Sequence, residues 1–128
     1  MAGFLLDSDV TIGFLRSTSV FLNSVSALIG TNPAWISVIT VAEIYKNSHP
    51  HEEKINKSFF ASHPQLTVDT KIAIAAGKYW KQYKGVNLNM MDYLIAGTCK
   101  VHKLVLLTRN TKHFPMSDIK VIDPLTHS

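Results

Sequence analysis

The chain has 128 residues, 46% of them hydrophobic and 17% charged, with a formal net charge of +4 and one cysteine, Cys99. That length fits one folded unit, residues 1–128, with a real core, and a lone cysteine excludes an internal disulfide or a cysteine-built zinc site. The opening MAGFLLDSDV has neither the basic start nor the long apolar run of a secretory leader, and no apolar stretch approaches the ~20 residues of a membrane span, so a reducing cytoplasm is the expected setting.

In chain order, FLLDS, AWISVIT, QLTVD, LVLLT and KVID predict five short strands, too apolar and β-branched to be half-exposed hairpins. Helices are predicted between them. Val20 to Ile29 is the first, and Val41 to Phe60 reads as two, broken near SHPH where Pro50 disfavours continuation. Lys71 to Tyr83 places Ile72, Ala75, Ala76, Tyr79 and Tyr83 on one stripe, and Met90 to His102 is the last. Strands separated by helices imply right-handed crossovers, hence an α/β fold with a parallel sheet of about five strands and helices on both faces.

In such a sheet, chemistry gathers beyond the carboxyl ends of the strands. Asp7 ends the first strand, Glu43 lies one helical turn past the second, and Asp92 lies in the first turn of the last helix, so all three are expected at one edge. Carboxylates brought together from separate elements repel one another unless protonated or joined by a cation, and oxygen ligands suit Mg²⁺ or Mn²⁺. Each acid also has a structural reading. Thr40-x-x-Glu43 matches a capping box, Asn89-x-x-Asp92 a similar helix start, and Asp7 a turn. Caps explain the two helical acids but give no reason for Asp7 at the end of a buried strand.

From Lys71 to Lys112 there are eight basic residues, Lys84 among them, against the single acid Asp92, which suits an anionic partner as well as plain solvation of helix faces. Ser8, Thr11, Thr108 and Arg109 lie near the same edge as the acids and are candidates to hold phosphates. His49, His51, His63, His102, His113 and His127 show neither a catalytic partner nor metal-ligand spacing, and Trp35, Trp80 and Tyr79 read as core or dimer contacts.

FLLDSDVTIGFLR, ISVITVAEIYKN and MMDYLIAGTCKVHKLVLLTRNTKHF together resemble the PIN-domain ribonucleases, in particular the VapC-type toxins of toxin-antitoxin systems, over about Phe4 to Phe114. The resemblance implies a single PIN-like nuclease domain and a Mg²⁺-binding acidic site for RNA cleavage on Asp7, Glu43 and Asp92. It also implies a structured RNA target of the tRNA or ribosomal class, a homodimer, and a cognate VapB-like antitoxin. Two positions depart from the family pattern: Asp9 stands where Asn is usual, and Asn110, counted with the catalytic residues, stands where a fourth acid is often found. If the first strand continued past Asp7, the Asp9 side chain would point to the opposite side. In the mechanism so implied, a metal held by Asp7 and Asp92 polarises the scissile phosphate while Glu43 orients or deprotonates the attacking water.

Two other readings fit parts of the sequence. FLLDSDVTI matches the Asp-x-Asp-x-Thr start of haloacid-dehalogenase-type phosphatases, with Asp7 as nucleophile, but LVLLTRN supplies no acid after the fourth strand and Glu43 and Asp92 are left idle. A catalytically weak RNA-binding or partner-binding module on the same fold is the other.

Overall fold

A computed structural model of the chain describes residues 3–16, 19–83 and 88–126, so the expectations placed on Lys84 and His127 lie outside the described residues. Five strands, β1 (Phe4–Leu6), β2 (Ala34–Ser37), β3 (Gln65–Leu66), β4 (Val105–Leu107) and β5 (Val121–Ile122), form one sheet in the order β3-β2-β1-β4-β5. Every pairing is parallel. Six helices surround it: α1 (Ser8–Arg16), α2 (Ser19–Ile29), α3 (Val38–Lys46), α4 (Glu53–Ser62), α5 (Thr70–Gln82) and α6 (Met90–His102).

The strand pleat divides the core in two. Leu5 points to one face, where it meets Leu106, Ala76 and Tyr79 of α5, and Tyr93, Ile95 and Cys99 of α6. Phe4 and Leu6 point to the other, against Val10 of α1, Phe21 and Val25 of α2, Ile44 of α3 and Phe60 of α4. Leu5, Leu6 and Leu106 are fully buried, and each such side chain stabilises the fold by roughly 1.5 to 3 kcal/mol. No helix among the described residues is long and apolar enough to cross a membrane.

Two boundaries that bear on the site differ from the sequence reading. Helix α1 is absent from that reading: β1 stops at Leu6, and Asp7 O accepts from Thr11 N at 2.9 Å to begin the helix. Asp9 is therefore in the first turn of a helix and lines the same pocket as Asp7, so the expectation that it points to the opposite side is overturned; strand alternation would in any case have put residues 7 and 9 on one face. Strand β2 likewise stops at Ser37, whose Oγ accepts from Ile39 N at 3.1 Å and caps α3, so Val38 to Thr40 are helical despite their β-branching. Thr40 is fully buried and is not the cap, which removes the capping-box reading of Glu43. The two later helices match to within a residue; Asp69 caps α5, and Asn89 caps α6 by accepting from Asp92 N at 3.2 Å.

Candidate active site

At the carboxyl ends of the central strands, the first turns of α1 and α6, the body of α3 and the segment after β4 enclose a cavity of about 220 Å³. Asp7, Asp9, Glu43 and Asp92 all line it, with Ser8, Asn89, Met91, Ile95, Asn110 and His113. Four carboxylates from two helix starts, the body of a third helix and a strand end thus share one pocket, and no lysine or arginine lines it.

Asp7 is the most firmly held of the four. Its backbone N closes the sheet on Leu107 O at 3.0 Å, its Oδ1 accepts from Ser8 N at 2.9 Å, and its Oδ2 accepts from the Thr108 hydroxyl at 2.8 Å. Thr108 accepts in turn from Asn110 N at 3.0 Å. Burial and then the charge of Asp9 push the Asp7 carboxyl up to about 6, against the pull of the Thr108 and Ser8 hydrogen bonds.

The other three acids move the same way. Burial raises Glu43, with Asp92 adding to it and the Ser8 hydroxyl opposing. Burial also raises Asp92, opposed by the helix start at Asn89 and by His113. Asp9 is raised by burial and held back chiefly by the amide of Arg109, which donates to Asp9 Oδ2 at 3.0 Å. Like charges in a shared, partly desolvated pocket raise one another in this manner, and a cation reverses the effect.

The donor set suits a hard divalent cation: carboxylate oxygens, a carboxamide and hydroxyls, with no thiol. One oxygen in particular lacks a partner, since Asp9 Oδ1 is buried and accepts no hydrogen bond. Among the described residues, no three acidic, histidine or cysteine side chains converge closely enough to form a ready-made ligand cluster. What the fold supplies is the pocket and its charge.

The remaining site expectations divide. Ser8 and Asn110 line the pocket. Thr11 and Thr108 are fully buried, and their hydroxyls donate to Asp7 O and Asp7 Oδ2, so they position Asp7 and are not exposed to a phosphate. Arg109 turns its guanidinium to Asp123, Nε to Oδ1 3.0 Å, outside the pocket lining. His113, which the sequence reading sets aside with the other histidines, also lines the pocket. The 3-10 turn Thr111–His113 brings its Nδ1 within 3.2 Å of Asn110 Nδ2 and 3.8 Å of Asp92 Oδ2. The three-residue spacing from Asn110 was the available signal.

The basic residues differ in what they meet. Lys71, Lys78 and Lys81 are exposed along α5, whereas Lys100 at the far end of α6 is paired with Asp118 at 2.5 Å. Trp80 is 46% exposed on α5, and Tyr79 is in the core.

Residues 4–119 match the family model described as the PIN domain. The chain is 32% identical over 114 residues to the ribonuclease VapC10 of Mycobacterium tuberculosis, covering 88% of this chain and 86% of that protein. Among solved structures it is similar to DNA-bound VapBC from Salmonella typhimurium, with a TM-score of 0.81, 26% identity, and 97% and 99% of the two chains covered. It is also similar to FitAcB from Neisseria gonorrhoeae, with a TM-score of 0.74, 26% identity, and 97% and 99% covered.

Proposed function

This chain belongs to the PIN-domain family, among its VapC-type ribonucleases, and from that premise we propose that it is the toxin of a toxin-antitoxin pair, a Mg²⁺- or Mn²⁺-dependent endoribonuclease that hydrolyses RNA phosphodiester bonds with a cluster of carboxylates. The observation that carries the proposal is the shared pocket of Asp7, Glu43 and Asp92, three acids far apart in sequence.

Asp7, Asp92 and Glu43 are the residues that would hold the cation, which when bound supplies Lewis-acid polarisation of the phosphate and neutralises the charge of the carboxylates. Thr108 and Ser8 fix the Asp7 carboxylate, and Thr11 fixes its carbonyl, so Asp7 is presented in one orientation. Glu43 accepts the proton of the attacking water as the new P–O bond forms and the P–O bond to the departing strand breaks, the departing oxygen taking a proton from solvent water. Asn110 and His113, at the rim, offer nitrogen donors to phosphate oxygens, as does the Ser8 hydroxyl. The exposed α5 lysines attract the flanking RNA backbone by charge, and Arg109, paired with Asp123, adds less.

The relatives named as VapBC support a VapB-like antitoxin as partner, and a homodimer acting in the cytoplasm completes the reading. The phosphatase reading loses its support, because it gives no work to Glu43 or Asp92, both on the pocket wall. Incubation of the purified chain with mixed tRNA and ribosomal RNA, with Mg²⁺, with Mn²⁺ and with a chelator, tests the proposal. Metal-dependent endonucleolytic fragments that Asp7→Asn abolishes are expected. Hydrolysis of a generic phosphomonoester with intact RNA would overturn it.

A further inference from the structure

We infer that Asp9 is a further carboxylate ligand of the cation proposed for this pocket, an inference that rests on the metal-dependent reading above. Strand β1 ends two residues before helical geometry carries Asp9 onto the pocket wall beside Asp7. The two oxygens of Asp9 are unlike. Oδ2 accepts from Arg109 N at 3.0 Å, which clamps α1 to the segment after β4. Oδ1 is buried and accepts no hydrogen bond of proper geometry, although the neighbouring Val10 amide also pulls on the carboxylate.

A buried carboxylate oxygen without a partner costs free energy that the fold must offset elsewhere, unless something outside the chain meets it. The lining residues include no lysine or arginine, and three further carboxylates share the space, so a cation answers the need better than a lone water. Asp9 is also fixed against the segment that carries Asn110, the neutral amide on the same wall. The pocket thus draws its extra acid from the first turn of α1 instead of from the segment after β4. The competing explanation is that Asp9 is only a helix-start acid and a tether, and Asp9→Asn separates the two, because an amide oxygen can still accept from Arg109 N.

Mn²⁺ is titrated calorimetrically into the metal-free wild type, Asp9→Asn, Asp7→Asn, Asn110→Asp and the double variant Asp9→Asn/Asn110→Asp, each with a melting curve. Asp9→Asn is expected to melt no lower than wild type without metal and to bind Mn²⁺ roughly tenfold or more weakly, with most of the loss recovered in the double variant. The deficit should persist in 0.5 M KCl, whereas a through-space charge effect would shrink with screening. Equal affinity of Asp9→Asn and wild type, or a deficit that vanishes in salt, overturns the inference while leaving the metal site itself standing. Wild type that binds no Mn²⁺ overturns both. Should Asp9→Asn fold poorly, Asn110→Asp decides alone: a gain under about twofold agrees with a position already supplied by Asp9, and a tenfold gain overturns it.

Discussion

Thr108 donates its hydroxyl to Asp7 Oδ2 at 2.8 Å across 101 residues of sequence, while its oxygen accepts from Asn110 N. This bond is one of two that restrain the rise of the Asp7 carboxyl. Thr108→Val keeps the shape and deletes it. The variant should lose about 1 to 3 kcal/mol of stability, and the acid limb of its cleavage profile should move to higher pH. Melting curves and a pH-rate profile check this; a profile that overlays wild type would mean that Thr108 does not tune Asp7.

Stability of the metal-free protein should depend on pH in an unusual sense. The folded Asp7 carboxyl titrates at about 6 against 3.8 for the ordinary group, so the folded state binds more protons between those values. Its contribution is fully present below 3.8 and is lost as pH rises through about 6. Glu43, Asp9 and Asp92 shift in the same direction. Wild type should therefore melt higher near pH 5 than near pH 7, by an amount on the order of 2 kcal/mol, and Asp7→Asn should flatten the difference. Parallel melts in a chelator provide the measurement, and identical pH slopes for the two proteins would contradict the assignment.

Asp92→Asn tests whether that acid serves the pocket or only its helix. The α6 cap is the Asn89 side chain on the backbone N of residue 92, which the substitution leaves intact. The metal-free variant should melt above wild type because it relieves repulsion. Wild type should gain on the order of 1 to 3 kcal/mol from Mg²⁺ at ten to a hundred times Kd, and the variant little. A lower melting temperature with an undiminished metal response would make Asp92 a helix-start acid only.

RNA affinity, measured without metal so that no cleavage occurs, should fall steeply with salt as lysines displace counterions from phosphate. Lys100 and Arg109 are already paired with Asp118 and Asp123, so the slope should be shallower than the number of basic residues alone suggests. Replacing Lys78 and Lys81 by Gln should reduce the slope if α5 meets RNA. Filter binding across a series of KCl concentrations reads it out, and an unchanged slope assigns those lysines to solvent.

Gly97 lets α6 approach α5. A Cβ there would lie 2.9 Å from Ile72 O and 3.2 Å from Ala76 N, both backbone atoms that cannot step aside cheaply. Gly97→Ala should cost about 1 to 3 kcal/mol by urea titration and reduce cleavage, because α6 carries Asp92. Wild-type stability in this variant would show that the helices separate freely.

Much of the architecture is legible in the apolar runs. All five strands stand within the short apolar runs that predict them, and the Pro50 break and the ends of α5 and α6 follow from local chemistry. Helix α1 was not legible, because Ser8 to Arg16 follows the strand directly and contains Val, Thr, Ile, Gly and Phe, residues of modest helix propensity. The placement of Asp9 was lost with it. The meeting of Asp7, Glu43 and Asp92 at one edge is readable from the order of strands and helices, whereas the approach of His113 to Asp92 needs a 3-10 turn that only three-dimensional packing reveals.

The sheet order also sets a schedule for the protein's synthesis. β1, the first of the five strands to be made, lies at the centre of the sheet, and its neighbour β4 is made about a hundred residues later. Until β4 emerges, Asp7 has no Leu107 carbonyl to close on and no Thr108 hydroxyl to hold it, and until α6 emerges Asp92 does not exist. A nascent chain therefore carries separate acids and no pocket through most of its translation, so a cell making this protein is exposed to its chemistry only after nearly all of the described chain has been made and folded.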